Sequence, residues 1–179
     1  MKRTISIIAA SIWIGLSPLA MAPAYADCED PPKEGIVWDG CDLKGAAYPD
    51  ADLRNAFVNE ANLEGADLSG ARFSGATARS SKLGGANLSG ATFDFVDLTD
   101  SDLRGANLSG ANFGEAILSG AKLQGADLTG ANLTGAILDN ADLNGANLEG
   151  ATLDRASLDQ TVWTDGSVCS SGSFGTCDK

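Results

Sequence analysis

The sequence predicts an all-β solenoid in which five-residue units stack in coils of four. Three observations carry that reading. From residue 36 to residue 165 one five-residue phrase repeats without losing phase, in copies such as Ala66-Asp67-Leu68-Ser69-Gly70, Ala106-Asn107-Leu108-Ser109-Gly110 and Ala131-Asn132-Leu133-Thr134-Gly135. A slower period of 20 overlies it, because Phe73, Phe93 and Phe113 are the only phenylalanines at the central apolar position. Two residues after the centre, Gly45, Gly65, Gly85, Gly105, Gly125 and Gly145 form a row at that same spacing, and Gly70 to Gly150 form the next row.

Each position of the unit has a physical reason. The centres run Leu43, Tyr48, Leu53, Val58 and onward to Leu158, and two residues before each sits Ala, replaced only by Cys41, Ser81, Val96 and Ser101. In an extended backbone these two positions share a direction and the residue between them points the other way. Ala and Leu therefore fill an interior, and the Asp, Asn, Lys or Thr between them meets water. The two residues after the centre must turn the chain. Corners with Gly suit a type II turn, which wants positive φ at its third residue. The other two rows mix Gly with Glu60, Ser80, Asp100, Asn140 and Arg155, and are expected to use a different turn. Residues 41–160 hold 24 units and so about six coils, a rod roughly 29 Å long at about 4.8 Å per stacked strand.

The ends differ from this body. Lys2 and Arg3 precede an apolar run, Ile5 to Leu19, and Ala24-Tyr25-Ala26 has the A-x-A form of a cleavage site. Residues 1–26 read as a signal peptide, whose apolar run is too short to span a bilayer comfortably. Tyr25-Ala26-Asp27 before Cys28 lacks the small-residue box that lipid attachment at that cysteine needs. The organisation is then a leader over 1–26, an N-terminal cap over 27–40, the repeat body over 41–160 and a C-terminal cap over 161–179. The mature chain is expected to be exported, periplasmic or secreted, or in a thylakoid lumen if the source is photosynthetic, with no membrane insertion. Export makes sense of Cys28, Cys41, Cys169 and Cys177, because an oxidising compartment favours disulfides. Four cysteines allow three connectivities. Cys28 with Cys41 and Cys169 with Cys177 is favoured because each pair closes a short local loop, whereas the ends of a rod are far apart. Zinc is the competing reading, but the chain has no His and no C-x-x-C spacing.

The phrase, with its A(D/N)LXX form, resembles the pentapeptide repeat proteins, and the resemblance implies a right-handed quadrilateral β-helix with capped ends. Trp38 and Trp163 fall in phase just outside the regular coils and read as lids on the apolar ends. The flanks are similar to the ends of exported bacterial members. The family spans many roles on one shape, so function must be argued from the surface.

That surface carries no evident chemistry. Without His there is no Ser-His or Cys-His pair, and a convex rod offers no pocket to its carboxylates. Asp residues recur with Asn, Lys or Thr one coil away, which favours a solvated face over a calcium site. The expectation is a non-enzymatic structural or protein-protein interaction module with no metal and no cofactor. Net charge is −12, or −14 without Lys2 and Arg3, which disfavours nucleic acid as a partner. Members of the resembled family that confer quinolone resistance are similar to duplex DNA in size and charge and bind type II topoisomerases. This chain shares the acidity and the rod but has a leader and cysteine-closed ends, so that role is the alternative reading. The sequence-level candidate for partner docking is Phe95, Ile117 and Ile137, with Phe57 farther down the same side and Asp94, Asp97 and Asp100 flanking, an arrangement that would steer a basic partner. Neither the partner nor the oligomeric state is fixed by the sequence.

Overall fold

Extended segments only three or four residues long must turn at each end, and each must find its backbone partners in the coil above and the coil below. The structure, a computed structural model, describes residues 28–179 and solves this in one repeated way. Parallel bridges join each outward residue to the one 20 positions later, from Val37↔Phe57 to Asp142↔Val162. The 20-residue register expected from the Phe and Gly rows is thus the register of the backbone. The leader proposed over residues 1–26 lies outside the described residues, and no helix among the described residues is long and apolar enough to cross a membrane.

The bridges define four sides. The first carries Asp42, Asn62, Lys82, Asp102, Lys122, Asp142 and Val162; the second runs from Ala47 to Asn147, the third from Asp52 to Thr152, and the fourth from Val37 through Phe57 to Ser157. Inside, the Ala and Leu positions are almost wholly excluded from water, as at Ala106 and Leu108. Asn107 between them is exposed, as the alternation requires. Phe73, Phe93 and Phe113 lie over one another, with ring centroids 4.8 Å apart at each step. That distance is the spacing of neighbouring strands, so the backbone itself sets the stack.

Every corner has the same form, which corrects the expectation of two turn types. The amide after the corner closes back on the centre, as in Ala46 N–H to Leu43 C=O at 3.0 Å, and the third turn residue has positive φ on all four sides. Glycine occupies most of these places, but Asp50, Asn55, Glu60, Ser80, Phe95, Asp100, Glu115, Asn140, Arg155 and Gln160 adopt φ between 53° and 59° there. The reason is stacking. The amide of that residue must reach the coil above, as in Glu60 N–H to Arg79 C=O at 2.8 Å and Phe95 N–H to Gly114 C=O at 3.0 Å. A different turn would break that ladder. Asp and Asn tolerate this region best, and for the bulkier residues it costs roughly 1–2 kcal/mol each.

One amide per unit, on the residue just after the centre, points to no neighbouring backbone. In most units of three sides it is satisfied by an outward Asp or Asn two residues earlier: Ser69 donates to Asp67 at 3.2 Å, Ser109 to Asn107 at 3.2 Å, and Thr134 to Asn132 at 3.1 Å. The prevalence of Asp and Asn at this position is therefore a turn requirement, in addition to the solvation inferred from alternation. The same Asn side chains reach between coils, as in Asn87 Nδ2 to Asp67 Oδ1 at 2.9 Å and Asn132 Nδ2 to Asn112 Oδ1 at 2.8 Å. These bonds pull the carboxyls down: the Ser69 hydroxyl and amide do so at Asp67, and the Thr129 hydroxyl and amide at Asp127. At Asp52 the Arg54 side chain is the main cause, and its carboxyl is lowered to about 2.

The ends are closed by folding back. Cys28 bonds Cys41 with Cα atoms 5.5 Å apart, and Cys169 bonds Cys177 at 5.0 Å, the pairing read from loop length. Trp38 is fully buried and stacks on Tyr48 at 5.5 Å, while Trp163 packs half-buried on the far end of the core. Beyond Trp163 the chain reverses, and antiparallel bridges Val162↔Val168 and Ser157↔Phe174 lay the last segment over the first and fourth sides.

Some buried polar atoms remain without a partner, Trp38 Nε1 among them. Ser81 and Ser101, one coil apart where Ala is the rule, are fully buried, and their hydroxyls have no hydrogen-bond partner. An unpaired buried hydroxyl costs about 1–3 kcal/mol. Ser81→Ala combined with Ser101→Ala should therefore raise the melting temperature by several degrees. A lower melting temperature would show that the hydroxyls are satisfied in solution.

Candidate functional site

The fourth side is built by a different rule. Its outward residues are Val37, Phe57, Thr77, Asp97, Ile117, Ile137 and Ser157, so only Asp97 can satisfy a turn amide as Asp and Asn do elsewhere, through Thr99 at 3.1 Å. At other coils the cap comes from the coil beneath: Asn59 N–H donates to Asp39 Oδ1 at 2.8 Å, Arg79 N–H to Asn59 Oδ1 at 3.0 Å, and Asp159 N–H to Asp139 Oδ1 at 3.1 Å. These caps serve the coils of Phe57, Thr77 and Ser157, whose outward residues need not accept from the turn; the turn amides of Ser119 and Asp139, in the coils of Ile117 and Ile137, take no cap of either kind.

Of the residues singled out from the sequence, the structure brings Ile117 and Ile137 together as bridge partners, 36% and 37% exposed. Phe95 stands at the corner between the third and fourth sides, one coil below Ile117, 70% exposed and at φ 56°. An aromatic residue that is both solvated and in the left-handed region sits there at a conformational cost, and such strain gathers at functional positions. Phe57 lies three coils below Ile117 and lines a shallow depression of about 470 Å³ with Asn59, Glu60, Thr77, Arg79 and Ser80. Phe174, 63% exposed, extends the same column at the far end through its bridge to Ser157. No period in the sequence marks Phe174, because it joins the column by a reversed strand outside the repeat.

The flanking acids are not alike. Arg79 binds Asp97, with Nε to Oδ2 at 2.7 Å. Partial burial works against ionisation of Asp97, yet the Thr99 hydroxyl and Arg79 hold its carboxyl below the usual range. Asp94 lies on the third side, where it accepts from Asn112 and, at 3.2 Å, from Ser74. Asp100 stands at the corner leaving the fourth side with φ 58°, against Gly120 one coil above, whose missing side chain leaves room for its carboxylate. Among the described residues no group of His, Cys, Asp or Glu could hold a metal ion. What the side offers is a rigid, partly apolar strip about one strand wide.

Comparison with known proteins agrees with this architecture. The family model for pentapeptide repeats matches in eight copies, over residues 49–85, 59–94, 71–110, 97–135 and 126–162. The chain is similar to HetL, a pentapeptide repeat protein involved in heterocyst differentiation regulation from the cyanobacterium Nostoc sp. strain PCC 7120, at 35% identity over 75% of this chain and 71% of that one, with a TM-score of 0.45. It is similar to the pentapeptide repeat protein Rfr23 of the cyanobacterium Cyanothece 51142 at 27% identity, covering 71% and 89% of the two chains with a TM-score of 0.42. Similarity to QnrB1, a plasmid-mediated fluoroquinolone resistance protein, is 24% over 77% and 76%, with a TM-score of 0.39. No curated protein matches the chain.

Proposed function

Because this chain belongs to the pentapeptide repeat family, we propose that it is an exported, non-enzymatic scaffold of about six coils that docks a protein partner on its fourth side. The observation that carries the reading is the apolar strip itself. The outward residues of the other three sides are mostly polar and many of them cap a turn amide, while the fourth side places Ile117 and Ile137 at that position with Phe95 beside them. A rod already ordered to its side chains binds with little further entropy loss, and a few apolar or aromatic anchors supply most of an interface's energy. Export is supported by the leader-like residues 1–26 and by cysteines placed in bonded pairs at both ends.

The test is affinity capture of the mature protein from its own compartment. Ile117→Ser with Ile137→Ser should leave the melting temperature nearly unchanged, since both side chains point outward, yet reduce capture at least about tenfold. Unchanged capture by the double variant would make the strip an accident of the repeat. Recovery of a type II topoisomerase from intact cells would replace this reading with that of a DNA mimic.

A further inference from the structure

We infer that the fourth side is a self-complementary surface whose occupant is a second, antiparallel copy of this chain; the inference rests on the docking reading above and names its partner. A two-fold axis crossing the side between Ile117 and Ile137, perpendicular to the rod, exchanges each outward residue with the one at the mirrored coil. Ile117 then meets Ile137 of the second copy, and the two apolar pairs close on each other. Asp97 meets Ser157 of the second copy, and Asp139 and Asp159 meet Ser119 and Thr99 of the second copy, since each of these positions lies in the same register column as its mate. On the fourth side no carboxylate faces another, although beside the corner the same axis brings Asp94 toward Asp154 of the second copy.

The corner between the third and fourth sides obeys the same symmetry. Its third-turn residues are Asn55, Gly75, Phe95, Glu115, Gly135 and Arg155. The axis that pairs the isoleucines pairs Phe95 with Arg155 and Glu115 with Gly135. Arg155 is suited to this: its side chain is 76% exposed and reaches only to 3.8 Å from Glu115, so its guanidinium is available to stack on an aromatic face. Phe95 and Arg155 both hold the left-handed conformation common to every corner, at φ 56° and 58°, and the pairing gives one reason for two large side chains where glycine is the usual residue. A parallel pair, with the axis along the rod, would instead stack Asp97 on Asp97. The strip is one strand wide and roughly 29 Å long, below the size of a standard interface, so the dimer should be weak, with a Kd of about 10–100 μM.

Sedimentation velocity of the mature protein from about 5 to 500 μM should show a shift from monomer to dimer. Each mature copy carries a charge of −14 (24 acidic less 10 basic residues), so raising salt should strengthen the dimer by screening that repulsion, whereas a basic foreign partner would bind more weakly. Arg155→Glu should weaken association about tenfold. Mixed Phe95→Cys and Arg155→Cys proteins should form a disulfide between variants faster than either forms one with itself, because Phe95 of the two copies lies about three coils apart in the antiparallel pair. A monomer throughout the concentration range, or faster self-linking of Phe95→Cys, would overturn the inference. If that monomer still loses foreign-partner capture with Ile117→Ser and Ile137→Ser, the docking reading stands without the second copy; unchanged capture would end both.

Discussion

Leu108→Asp is expected to unfold the rod or lower its stability by several kcal/mol, whereas Asn107→Asp, one residue away, should change it by less than about 1 kcal/mol. Leu108 is wholly buried in the middle of the stack, where a charge would be cut off from water. Asn107 points outward and uses its Oδ1 to accept from the Ser109 amide and hydroxyl, at 3.2 and 2.8 Å. An aspartate keeps that acceptor. It forfeits the Nδ2 bond to Asn87 at 3.2 Å and sets a carboxylate one coil from Asp127, so a small loss is expected rather than none. Thermal melts of the two variants decide the matter; if Asn107→Asp proved the more damaging, the assignment of inside and outside would be reversed.

Phe93→Ala should cost about 3–5 kcal/mol, the range for emptying an aromatic site in a packed core. Phe93 is fully buried between Phe73 and Phe113, so its removal opens a cavity and breaks both ring contacts. The neighbouring rods of backbone cannot move in to fill the gap, because strand spacing is fixed by the hydrogen bonds of adjacent coils. Phe95→Gly is the matched control. It removes an equal ring from a solvated corner and relieves a left-handed conformation, so stability should hold or rise by about 1 kcal/mol. Equal losses at both positions in chemical denaturation would contradict the inward and outward placement of these two rings.

Much of this was legible in the sequence because a repeat states its rules many times over. Alternation around Leu108 gave the interior, the Phe73, Phe93 and Phe113 spacing gave the register, and loop length gave the cysteine pairing. The corner geometry was not legible. Residue preference at Glu60, Ser80 and Arg155 argues against positive φ, but the inter-coil ladder outweighs a local penalty of roughly 1–2 kcal/mol. Nor was the second task of the outward Asp and Asn legible, since a residue that both meets water and accepts from a turn amide leaves the same composition as one that only meets water. For the candidate site, Ile117, Ile137 and Phe95 could be marked as outward and apolar. The relocated caps at Asn59, Arg79 and Asp159 could not, because they depend on Asp39, Asn59 and Asp139 reaching across 20 residues.

That reach bears on how such a chain changes length over generations. On three sides the cap and the amide it serves belong to the same five residues, as with Asp67 and Ser69, so a single unit is self-sufficient and could be copied or lost alone. On the fourth side the caps of Asn59, Arg79 and Asp159 come from the preceding circuit, and the phenylalanine column adds the same constraint. A gene encoding this rod can therefore lengthen or shorten without penalty only in blocks of sixty nucleotides, and any smaller slip rotates the apolar strip onto a neighbouring side.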